Sequence, residues 1–186
     1  MAVETSQAFR VITISGEVAT GTTSITQELL RRLSGWTALN SGNFLRELMK
    51  TNSNSIQNVS DLSDDVHMEI DRRQRELAIN ESNLILEGRL AGWLTSDLRH
   101  VFRVLCYCPL HVRITRYMQR EHCDESTAIH QIEERDIGDR LKYRKIYGVY
   151  DYRDSSFYTM LVDTSVSHPD DLAFEILSNS GLINIT

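Results

Sequence analysis

The chain has 186 residues, 41% of them hydrophobic, and a net charge of −6. That is enough for one α/β core but not two, and the acidic balance argues against a broad basic face for duplex nucleic acid. No apolar run reaches the roughly 20 residues a membrane span needs, and no export or transit signal is expected from the first ten residues.

A first strand is expected over Arg10–Ser15, followed by a helix in which Ile25, Leu29 and Leu33 recur every fourth residue until Gly35 stops it. Thr37–Asn40 is the second strand, and a polar insert of helical spacing fills about residues 41–83. Strands at Asn83–Glu87 and Phe102–Cys108 follow. Leu110, Ile114, Tyr117 and Met118 then mark a helix, before a charged, aromatic insert at about 121–157. The last strand is Thr159–Asp163, and Pro169 with Asp170 and Asp171 opens the final helix. Near-continuous apolar strands alternating with helices imply a parallel sheet covered on both faces, with ligands bound beyond the carboxyl ends of its strands. Cys106, Cys108 and Cys123 lack metal-ligand spacing and are expected to be buried free thiols of a reducing cytoplasm, the first two on one face of the fourth strand.

The first strand runs into Gly16, Glu17, Val18, Ala19, Thr20, Gly21, Thr22, Thr23 and Ser24. This is the frame of a phosphate loop, with Thr22 where a lysine is usual. Its glycines let backbone N–H groups converge on phosphate at a helix N-terminus, and the Thr23 hydroxyl stands where a magnesium ligand belongs. The missing lysine and the acidic Glu17 both count against a standard loop. A tight strand-to-helix turn without a ligand is the plainer alternative.

Other residues fit the same chemistry. Ser41 and Gly42 follow the second strand and Arg46 comes a turn later, so a hydroxyl, an amide and a guanidinium can meet one anion. Glu87 ends the third strand as an acid able to hold magnesium through water, and Arg89 can fork onto a monophosphate. The plainer readings are a surface arginine, a strand-terminating turn and, for the cations Arg113, Arg116, Arg120, Arg135, Arg140, Lys142, Arg144 and Lys145, a solvated helix face.

Together with the loop, Ser41–Arg46, Asp71–Gln74 (DRRQ), Leu86–Trp93 (LEGRLAGW) and Arg144–Gly148 (RKIYG) resemble the archaeal-type cytidylate kinases, from about residue 10 to residue 177. The resemblance implies a P-loop NTPase fold, a three-layer α/β sandwich with a five-stranded parallel sheet. It implies transfer of the ATP γ-phosphate to CMP or dCMP, with ATP bound by residues 16–24 and Mg2+ held through Thr23 and Glu87. The first insert becomes the monophosphate-binding arm, with Asp71 and Arg72 or Arg73 near the base. The second becomes a lid carrying Arg135, Asp139 and Arg140. Arg89, Arg135 and Arg140 are the expected catalytic residues, and Ser41, Gly42, Arg46, Asp71, Arg89 and Asp139 the expected acceptor contacts. Ala19 and Glu17 depart from the family's usual glycine and proline. A nucleotide sensor or scaffold with little activity, or a kinase of AMP or UMP, is the alternative, and a cytoplasmic monomer without nucleic-acid or membrane partners is expected.

Overall fold

The computed structural model describes residues 9–42 and 63–183. Its sheet holds five parallel strands: β1 (Val11–Gly16), β2 (Thr37–Asn40), β3 (Leu84–Glu87), β4 (Val101–Tyr107) and β5 (Met160–Asp163). Their order is β2-β3-β1-β4-β5, so the strands flanking β1 come from later in the chain and reach it by crossovers. Its helices include α1 (Thr22–Arg32), α2 (Asp64–Asn80), α3 (Ala91–Leu94), α4 (Leu110–Glu121), α5 (Glu125–Tyr147) and α6 (Pro169–Asn179).

Alternation along the strands sorts the core into two faces. Ile12, Ile14, Ile85, Phe102, Val104, Cys106 and Val162 pack against Ile25 and Leu29 of α1 and Leu172, Ala173, Ile176 and Leu177 of α6. Val11, Leu84, Leu86 and Val101 point the other way, to Ala78 of α2 and Ala91 of α3. These are the three expected layers, and burial on both sides explains why β1 and β3 read as near-continuous apolar runs.

Register sets the position of the site. Glu87, the last residue of β3, stands level with Ile14 of β1 and Asn40 of β2, so β3's final side chain emerges beside the phosphate loop. Ser15 Oγ donates to the Gly88 carbonyl and accepts from the Gly92 amide, each at 3.0 Å, pinning the turn after β3 to the end of β1.

Two details differ from the sequence reading. The fourth strand ends at Tyr107, so Cys108 leaves the sheet. It is half-buried beside Arg116 Nη1, 3.6 Å away, whereas Cys106 is fully buried. Burial holds the Cys106 thiol well above the ordinary range and keeps it protonated. Within the charged, aromatic insert, Tyr143 and Tyr152 pack edge to face in the core beside Leu90 and Leu94. Tyr150 instead lies exposed under the Arg144 guanidinium. No helix among the described residues is long and apolar enough to cross a membrane.

Candidate functional site

The loop from Gly16 to Gly21 makes a tight turn into α1. A Cβ at Gly16 would collide with Thr20 Oγ1 and come within 2.9 Å of the Cys106 carbonyl oxygen. Gly21 caps α1 in the left-handed region at φ 86°, where glycine carries no strain. Ala19 is left-handed as well, at φ 62°, a conformation that costs an alanine about 1–2 kcal/mol. The sequence thus keeps the backbone path of a phosphate loop even where its usual glycine is absent.

Thr22 and Thr23 open α1, and both hydroxyls donate to the same oxygen of Glu87, at 2.8 and 2.6 Å. The Glu87 side chain belongs to a residue only 5% exposed. Where a lysine would place a cation, this chain has a buried carboxylate and two hydroxyls at the positive end of a helix dipole. Oxygen donors of this kind suit a hard divalent cation.

Glu17 does not act as a bare charge against phosphate. Arg113 Nη1 reaches its carboxylate at 3.0 Å and Arg153 Nη1 at 2.8 Å. Arg113, itself 5% exposed, also donates to the Val18 carbonyl at 2.7 Å and pairs with Asp136 of α5. The other oxygen of Asp136 accepts from the Val18 amide at 3.4 Å. Around this polar knot, Val18 packs with Tyr117, Ala128 and Ile132. Arg116 makes a second clasp, donating to the Thr164 hydroxyl and carbonyl at 3.0 and 2.6 Å, while Thr164 Oγ1 donates to the Thr20 carbonyl at 2.7 Å. Arg113 and Arg116 therefore brace the loop from behind.

Beyond β3, Arg89 pairs with Asp139 of α5, and Lys142 lies 3.1 Å from the same carboxylate. Arg89 also donates to the Arg135 carbonyl at 3.4 Å. Although part of Arg135 is open to solvent, desolvation of its guanidinium and then the Arg89 charge hold its pKa below the ordinary arginine range. Arg140 is half-buried and is one of the charges that hold Asp151 low, after Arg153.

On the α2 side, Ser41 Oγ and Gln74 Oε1 crowd Gly88, where a Cβ would stand 2.8 and 3.1 Å from them. Gln74 is buried, its Nε2 lies 3.4 Å from Asp71, and its Oε1 has no partner among the described residues. Tyr147, at the end of α5, donates to the other Asp71 oxygen at 2.8 Å. Burial raises the Asp71 carboxyl to about 6, against the opposing effects of Tyr147 and Lys142. Arg72, on the same helix, forms exposed ion pairs with Glu69 and Glu76. Gly42 ends the described part of this region, and Arg46 lies outside the described residues.

The fold thus gathers Thr22, Thr23 and Glu87 in one cluster and Arg89, Asp139 and the Arg135 backbone in a second. Sequence reasoning gave Asp136 and Arg153 no place in the site, and it named Gln74, Tyr147 and Lys142 only as members of motifs or of a run of cations. Asp136 could have been found only through its partner, and Arg113 lies 23 residues away.

Arg113→Met should lower stability by about 3–5 kcal/mol in chemical denaturation, because it strands Asp136 in the interior without its cation. Asp71 gives a pH signature. Its ordinary value is 3.8 and its folded value about 6, so the native state binds more protons between them and this group's stabilisation fades as pH rises from about 4 to 6. The stability difference between the wild type and Asp71→Asn should therefore slope across that window and flatten above it. A parallel pair of curves would show that Asp71 titrates normally.

Comparison with known proteins follows the same lines. Residues 37–166 match the cytidylate kinase-like family, a stretch that begins at β2 and leaves the phosphate loop outside it. The chain is 33% identical to the cytidylate kinase of Thermoplasma acidophilum over 170 residues, 89% of each chain. It is 35% identical to that of Methanopyrus kandleri over 178 residues, 90% of each. Among solved structures, an uncharacterized protein from Eubacterium ventriosum matches with a TM-score of 0.72 at 19% identity, covering 92% of this chain and 98% of its own. Shikimate kinase from Acinetobacter baumannii matches with a TM-score of 0.58 at 17% identity over 97% of both chains, which establishes a shared fold. The chain belongs to the cytidylate kinase-like family.

Proposed function

We propose that this chain transfers the γ-phosphoryl group of ATP to CMP or dCMP, giving ADP and CDP or dCDP. The observation that carries the reading is the buried Glu87 carboxylate, which holds the Thr22 and Thr23 hydroxyls at the mouth of the loop two residues before Arg89. Family membership and the name cytidylate kinase borne by its relatives support the choice of acceptor.

The chemistry asks for positioning and charge rather than a protein nucleophile. A phosphate oxygen of the acceptor forms the new bond to the γ-phosphorus, and the bond from that phosphorus to the β,γ-bridging oxygen breaks. ADP departs with the electron pair. Loop amides and the α1 N-terminus hold the donor phosphates, and Arg89 orients the acceptor phosphate. Arg135 and Arg140 on α5 offset charge on the moving group and help exclude water. Two hydroxyls and a buried carboxylate fit a magnesium ion, which Thr23 would ligate directly and Glu87 would hold. When bound, it neutralises charge on the β- and γ-phosphates. The acceptor arm brings Ser41, Gly42 and Asp71 to the nucleoside. We place the activity in a reducing cytoplasm on account of the free thiols Cys106, Cys108 and Cys123.

A coupled ADP-release assay with CMP, dCMP, UMP and AMP tests this. CMP and dCMP should exceed the other two by at least about tenfold in kcat/KM, a modest difference in transition-state binding. ADP release at background with all four acceptors would sink the proposal. Glu87→Gln should lower kcat by about 10²–10³ while the melting temperature moves little, a loss typical of one preorganised electrostatic group. A purely thermal defect would make Glu87 a structural residue.

A further inference from the structure

Asp139 lies between two cations drawn from different parts of the fold. Arg89, in the turn after β3, pairs with one of its oxygens, and Lys142, one turn further along α5, stands 3.1 Å from the other. All three side chains are largely withdrawn from solvent, at 18%, 15% and 25% exposure for Arg89, Asp139 and Lys142. One negative charge thus answers two positive ones in a half-buried place.

The mismatch is felt at Lys142. Desolvation lowers its pKa below the ordinary lysine range, and the Arg89 charge lowers it further. Asp71 and Asp64, from α2, offset this only in part. Asp64 itself pairs with Lys145, on the exposed side of α5. A phosphate monoester carries about −1.5 to −2 charges near neutral pH, so it matches a guanidinium and an ammonium better than one carboxylate does. Position agrees with this. Arg89 follows Glu87 by two residues, at most about 7 Å of extended chain, so a phosphate on Arg89 would lie beside the loop that holds the donor.

We propose that Lys142 is a substrate-binding residue that seats the acceptor's monophosphate together with Arg89, and that Asp139 is an internal anion occupying the seat until the acceptor displaces it. This rests on the kinase reading of the same site. It makes Asp139 a competitor of the acceptor rather than one of its contacts.

Calorimetric binding of CMP and of cytidine to the full chain isolates the phosphate's share as the Kd of cytidine divided by the Kd of CMP. In Lys142→Met this ratio should fall at least about tenfold, equivalent to 1.4 kcal/mol, and Lys142→Arg should restore it. Asp139→Asn should raise the ratio, and should bind inorganic phosphate more tightly than the wild type does. Lys145→Met, which alters an exposed pair on the same helix, should leave the ratio unchanged. Melting curves for each variant separate these effects from misfolding. A Lys142→Met protein that keeps the wild-type ratio overturns the proposal. So does an Asp139→Asn protein with weaker CMP binding. If the wild type phosphorylates CMP and either result is obtained, only the seat is refuted. If the wild type phosphorylates no monophosphate, the kinase reading itself has failed.

Discussion

The buried guanidinium of Arg113 is the point on which the phosphate loop depends. It answers a backbone carbonyl within the loop, the carboxylate of Glu17 on the loop's rim and the carboxylate of Asp136 on α5. Three acceptors of this kind give each nitrogen of one buried cation a partner, and two of them are carboxylates, the condition under which a buried charge is tolerable. The loop's shape is therefore not a local property of its glycines. It is held from α4 on one side and α5 on the other, and the acidic residue that looked hostile to phosphate becomes a strut.

That brace changes how the absent lysine should be understood. A lysine in the loop supplies a flexible point charge. Here the position is taken by Thr22, whose hydroxyl joins Thr23 in holding Glu87. Positive charge is displaced outward to residues of the turn after β3 and of α5. A site of this kind concentrates its cations on an element that packs over the cleft rather than in the cleft floor, so its electrostatics are complete only when that element is in place.

The elements were legible in the sequence because each was written locally. Apolar runs marked the five strands, four-residue spacing marked α1 and α4, and Pro169 with two acids marked the start of α6. The phosphate loop and the Glu87–Arg89 turn were also local, being short motifs at strand ends. What escaped were pairings across long stretches of chain: Arg113 with Asp136, Tyr147 with Asp71 at a separation of 76 residues, and Lys142 with a carboxylate shared by Arg89. No periodicity encodes such partners, because they meet only after the helices dock on the sheet. The same limit applies to Arg72. Asp-Arg-Arg-Gln on a helix fixes which residues share a face but not which partners they take, and Arg72 pairs with Glu69 and Glu76.

Helix α5 is one continuous element of 23 residues, and it carries Asp136 against the donor loop, Asp139 against Arg89 and Tyr147 against Asp71. From the first of these to the last the helix rises about 16 Å, so it acts as a strut across the whole cleft. A rigid bar fastened at three points cannot be lifted at one of them without straining the other two. Strain at either end is thus passed to the far end, so the loop after β1 and the Asp71 cluster on α2 are coupled through one bar rather than held by separate fasteners.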